Sequence, residues 1–97
     1  MIMRTRTSPG EILSEEFMKP LSLSGNELAR RIKVPANRVN DIVRGRRDVS
    51  ADTALRLSRY FGTTAQFWLN AQSAYDLSVV EHEIGAEIEA EIEPHAA

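Results

Sequence analysis

Five polar residues, Asn37, Arg38, Asn40, Asp41 and Arg44, are interleaved with Val39, Ile42 and Val43. In the major groove of DNA, asparagine pairs bidentately with adenine, arginine with guanine, and a carboxylate accepts from cytosine. The apolar spacing is helical. With Val39, Ile42 and Val43 turned inward, the opposite face presents Asn37, Asn40, Asp41 and Arg44, with Arg38 on its flank. Asn37 and Arg38 fall in the first turn, the part of a recognition helix that reaches base edges. Asn37, Arg38, Asn40 and Arg44 are therefore the candidates for contacts at or near base edges. Asp41 either accepts from cytosine or orients Arg38 or Arg44. Arg46 and Arg47 are candidate phosphate clamps, and Arg30, Arg31 and Lys33 add to the basic surround. A two-helix corner with a merely solvated basic face would use similar residues. Several independent features agree on DNA instead: the small Ala29, the apolar spacing, the polar outer face and the surrounding cations.

The elements that must position these side chains are legible around them. Residues 24–47, SGNELARRIKVPANRVNDIVRGRR, read as two short helices and a tight turn. Leu28, Ala29 and Ile32 line one face of the first. Ser24 and Glu27 have the spacing of a capping box, which starts that helix near Gly25. The residue before a proline is pushed out of helical geometry, so Val34-Pro35 ends it. The second helix then begins at Pro35 or Ala36, and Gly45 supplies the left-handed residue that stops it.

This segment resembles the helix-turn-helix of the Xre/Cro-like repressors. Downstream, the stretch Ser50 to Leu57 and the run Phe61-Gly62-Thr63-Thr64 extend the match. The run Gln66-Phe67-Trp68-Leu69-Asn70-Ala71-Gln72 narrows it to the HigA group of addiction-module antitoxins, which includes GraA. The resemblance spans Ser8 to Leu77. It implies an all-α, lambda-repressor-like fold of about five helices. It also implies repression of the protein's own promoter and neutralisation of a cognate RelE/HigB-like toxin that cleaves mRNA. One departure is Lys33, at the turn position where such repressors usually have glycine. A left-handed lysine costs about 1 kcal/mol, so either the turn opens or the cost is carried.

The remaining helices follow from caps and periodicity. Helix one is expected over Pro9–Met18, with Ile12, Leu13 and Phe17 as its apolar stripe and Glu15-Glu16 on a solvated face. Ser50 caps helix four, where Ala54, Leu57 and Phe61 close the core and Leu55 packs near them. Thr63 with Gln66 reads as a second capping box opening helix five. That helix carries Phe67 and Trp68, read first as core. Trp68, Leu69, Tyr75 and Leu77 are also candidates for a dimer interface, because aromatic residues are enriched there. Residues 1–7 read as an arm bearing Arg4 and Arg6.

The chain of 97 residues carries a net charge of −2, which averages two unlike parts. All twelve Lys and Arg lie in residues 1–60 with seven acids, whereas residues 61–97 hold seven acids and no base. A basic surface and an acidic segment with another role are implied. The organisation expected is a helix-turn-helix domain with its arm over residues 1–77 and an acidic tail over 78–97. In that tail Val80, Ile84, Ile88 and Ile92 recur every four residues, a narrow helical stripe among glutamates. It would order on a second subunit or a partner, or else remain a solvated tail.

The absence of cysteine removes disulfides, thiolate zinc sites and a cysteine nucleophile. His82 and His95 lack partners for metal or nucleophilic chemistry, and there is no glycine-rich phosphate loop. Neither an enzyme nor a bound cofactor is expected. No signal-peptide pattern or long apolar run is present, so a cytoplasmic protein without membrane contact is expected. The function read from the sequence is that of a homodimer binding double-stranded operator DNA. Its rivals are a free-standing repressor without a toxin and a protein-binding scaffold that no longer touches DNA.

Overall fold

A computed structural model describes residues 7–96; Arg4 and Arg6 of the expected arm lie outside them. The described residues form helices and connecting loops without a strand. The order is α1 (Pro9–Ile12), which runs on into a π-helical turn (Leu13–Met18), then α2 (Gly25–Ile32), α3 (Ala36–Val43), α4 (Ala51–Phe61) and α5 (Ala65–Glu91).

The first helix is thus only partly the regular helix expected over Pro9–Met18. Ser8 caps it, its Oγ accepting from the Glu11 N–H at 3.2 Å. Past Leu13 the hydrogen bonds lengthen by one residue, as in Lys19 N–H to Ser14 O at 3.0 Å. An α-helix would set Leu13 and Met18 about 140° apart. The wider π turn brings both inward, and both are buried. Near its start the helix meets α3 backbone to backbone: a Cβ on Gly10 would run into the carbonyl oxygen of Ile42. Glycine is required here by closeness, so α1 forms a rigid backing for the third helix.

The caps of α2 and α3 are local and follow the sequence. Ser24 Oγ accepts from Glu27 N–H at 3.0 Å. At the other end of the pair, Arg46 N–H reaches Asp41 O and Gly45 N–H reaches Ile42 O, a Schellman motif around the left-handed Gly45. Lys33 does take the left-handed conformation, at φ 63° and ψ 46°. The turn stays closed and the cost is carried. Arg56 helps to hold it, since its guanidinium donates to the carbonyls of Ile32 at 2.9 Å and Lys33 at 3.2 Å.

The core gathers Leu13, Met18, Leu28, Ile32, Val39, Ile42, Leu57 and Trp68. Trp68 is fully buried. Its ring lies 5.1 Å from Phe17 and 5.0 Å from Phe67, centroid to centroid. Its indole N–H donates to Thr63 Oγ1 at 2.8 Å. That bond changes the start of α5 from the one the sequence suggests. Thr63 is taken by the indole, and Thr64 is the N-cap, accepting from Phe67 N–H at 3.0 Å. Burial of Trp68 within its own chain also removes it from any dimer interface. Phe67, by contrast, only edges the cluster and stays 39 % exposed. Leu55 is 64 % exposed rather than packed with Ala54 and Leu57. Directly following Ala54, it points about 100° away around the helix.

The 27-residue α5 is the longest element, about 40 Å of helix. Its first half packs on the core through Trp68 and Gln72. Its second half continues the helix through the acidic sequence to Glu91, past Gly85 and without a break at residue 78. Leu77, Val80, Ile84 and Ile88 stay 41–60 % exposed along it.

Candidate nucleic-acid interface

Helix α3 owes its place to three contacts. Val39 and Ile42 are buried in the core, Gly10 backs its C-terminal half, and the side chain of Asn40 lies over Gly25 at the start of α2. Asn40 Nδ2 donates to Asn26 Oδ1 at 3.2 Å. Asn40 is therefore half-buried and ties the two helices of the motif together. Of the residues expected on the outer face, Asn37 and Arg44 are exposed, and Asp41 is half-buried.

Arg38 is oriented by Asp52 on α4, not by Asp41. Its guanidinium donates to Asp52 Oδ2 at 2.7 Å, and Arg56 Nε donates to the same oxygen at 3.0 Å. The bond from Arg56, with Arg38 beside it, holds the Asp52 carboxyl below its ordinary value. An ionised carboxylate bridging two guanidiniums restricts the rotamers of Arg38, which lowers the entropic cost of any oriented contact that side chain makes. Part of the basic surround is committed elsewhere. Glu27 is shared by Arg30 and Arg31, and the bond from Arg31, aided by the charge of Arg30, lowers its pKa.

Arg46 and Arg47 are exposed on the loop after α3. That loop is stapled to α5 by Gln72, which is buried. Its Oε1 accepts from Val49 N–H at 2.7 Å, and its Nε2 donates to Asp48 at 3.2 Å and to Asp76 at 2.9 Å. Asn26, Asp52, Arg56 and Gln72 are the supporting residues that site reasoning from sequence passed over. Only the Asp52/Arg56 pair, four apart on one helix, leaves a local signal. The chemistry assembled is a polar, cation-flanked convex helix rather than a cleft. Among the described residues no cluster could hold a metal ion, and no helix is long and apolar enough to cross a membrane.

Comparison with known proteins places this geometry. A family model described as "Helix-turn-helix" matches residues 15–68. Virulence-associated protein I of Dichelobacter nodosus is 56 % identical over 75 residues, covering 77 % of this chain and 69 % of that protein. The solved structure of the Pseudomonas aeruginosa antitoxin HigA with the higBA promoter is 52 % identical, with a TM-score of 0.90. It covers 93 % of this chain and 98 % of that one. The chain belongs to the HigA-type group of helix-turn-helix antitoxins. A second member of the group, antitoxin GraA in complex with its operator, is 47 % identical, with a TM-score of 0.91 over 98 % of this chain and 95 % of that one. The HigA resemblance of the Gln66–Gln72 run thus extends along α5 beyond Leu77.

Proposed function

We propose that this HigA-type protein is a homodimer that binds double-stranded operator DNA in its own promoter and neutralises a RelE/HigB-like toxin encoded beside it. The observation that carries the DNA reading is the first turn of α3, with Asn37 exposed on the outer face and Arg38 held by Asp52. Asn37, Arg38 and Arg44 contact bases or their immediate surroundings, while Arg46 and Arg47 hold phosphates. Asn40 and Asp41 sit at the edge of this face, with Asn40 acting chiefly through Asn26. Residues 1–77 form the DNA-binding unit, and 78–97 its acidic extension. Both GraA and the Pseudomonas HigA are named for complexes with operator or promoter DNA, which supports carrying that activity to this chain. Neutralisation is assigned to surfaces that α3 does not use, first the N-terminal arm with the first helix, whose π-helical turn carries Glu15 and Glu16, and second the acidic tail. A toxin that grips RNA should be basic and suit an acidic partner.

The homodimer forms through the outer face of α5. Leu77 and Val80 lie at its centre, and among the described residues both stay exposed. A two-fold pair presents two α3 helices to half-sites about 34–36 Å apart, or a multiple of that. Leu77→Glu/Val80→Glu should give a folded monomer by light scattering and weaken the operator complex about 100-fold, because one small module contacts few base pairs. A wild-type protein that is monomeric at micromolar concentration and binds its promoter as a monomer contradicts this reading.

A further inference from the structure

A second basic surface lies to one side of α3. Arg31, Lys33, Arg56 and Arg59 line a groove of about 500 Å³ between α2 and α4 together with Ile32, Leu55 and Tyr60. Arg56 is fixed by backbone carbonyls and Asp52. Lys33 and Arg59 make no ion pair among the described residues. A surface for phosphate alone has no use for an exposed leucine and tyrosine in its lining. Cations around an apolar patch fit an occupant that carries carboxylates beside aliphatic side chains.

The chain contains such a segment. From Ile88 to Glu93 it reads IEAEIE, and Ile88, Glu91, Ile92 and Glu93 are all exposed. The outer face of α5 is nearly self-complementary about a point between Leu77 and Val80. In an antiparallel pair Leu77 opposes Val80, Ser73 opposes Ile84 and Leu69 opposes Ile88. The same alignment sets Glu87 and Glu91 against Asn70 and Gln66, which carry no charge, and leaves Asp76 against Glu81 as a flanking pair of like charge. The tip of one α5 then lies beside Ala65 of the second copy. From there only the corner Gly62–Thr64 separates it from Tyr60 and Arg59. Residues 92–96 leave the helix, and an extended chain covers roughly 3.3 Å per residue, enough to turn that corner.

We infer that the acidic end of the chain just past α5, Ile92 and Glu93, docks into the Arg59–Tyr60 side of this groove on a second copy of the chain. The inference rests on the α5-paired homodimer proposed above. Docking latches each tail to the body of the opposite subunit, so it fixes the angle between the two bodies as well as their association.

The test uses full-length protein, and the natural chain has no cysteine to interfere. Copies carrying Tyr60→Cys are mixed with copies carrying Ile92→Cys under mild oxidation. A mixed 60–92 disulfide should form, and neither variant alone should cross-link. Separately, Arg59→Glu should raise the dimer dissociation constant about tenfold at low salt, since two symmetry-related sites each lose an exposed pair and gain a repulsion. Adding Glu93→Lys in the same chain should restore association, and the difference should fade in high salt. Cross-linking of Ile92→Cys with itself shows tails pairing with tails and overturns the inference. Unchanged dimerisation of a folded Arg59→Glu protein overturns it too. If that variant instead loses only operator affinity, the groove belongs to DNA phosphate. A wild-type monomer defeats the homodimer itself, which is a separate failure.

Discussion

Asn37→Ala/Arg38→Ala should lose about 2–6 kcal/mol of operator binding, because each good bidentate base contact carries about 1–3 kcal/mol. The loss should fall on specific DNA, leaving non-specific binding close to wild type. Arg46→Ala/Arg47→Ala should do the converse: it weakens all DNA alike and lowers the salt slope by about 2, one for each phosphate contact removed. The two pairs separate because their supports differ. Arg38 is held by Asp52, whereas the Arg46–Arg47 loop is held by Gln72 through Val49 and Asp48. Titrations of operator and scrambled duplexes across a salt series check both statements. Unchanged operator affinity in a folded Asn37/Arg38 double variant sinks the α3 assignment.

Trp68→Ala should cost about 3–5 kcal/mol of stability, the range for emptying a large buried aromatic site. For a domain of this size that is a large part of the total. Three losses coincide: the buried ring volume, the packing against Phe17 and Phe67, and the indole bond to Thr63. Trp68→Phe keeps much of the volume but leaves Thr63 without its donor, so it should cost less than half as much. Urea unfolding followed by circular dichroism measures both. A Trp68→Ala protein within 1 kcal/mol of wild type would contradict the burial.

What the sequence reveals here is mostly local. Ser24, Ser50 and Gly45 each make their bonds within a few residues, so cap and stop are readable from types and spacing. The inward faces of α2 and α3 are readable for the same reason: Leu28, Ile32, Val39 and Ile42 follow the helical period. At the start of α5 two adjacent threonines can both cap. Only the position of the Trp68 indole decides between them, and that is a tertiary fact. The π turn is hidden similarly, since a five-residue bond rather than composition brings Met18 inward. The candidate site divides along this line. The outward residues of α3 follow from periodicity, but the partners that hold them do not. Asp52 reaches Arg38 and Asn26 reaches Asn40 across fourteen positions, and Gln72 reaches Val49 across twenty-three. Nothing in Gly10 as a letter announces its approach to Ile42.

The two roles of the protein are assigned to different surfaces, and one measurement addresses that directly. Cells expressing the product of the adjacent gene are grown alone, with the wild-type chain, and with Asn37→Ala/Arg38→Ala. Growth should stop in the first case and be rescued equally in the other two, while only the wild type represses a reporter on the shared promoter. A neighbouring product that is harmless, or one that is toxic but not rescued by the wild-type chain, contradicts the antitoxin role and leaves a free-standing repressor.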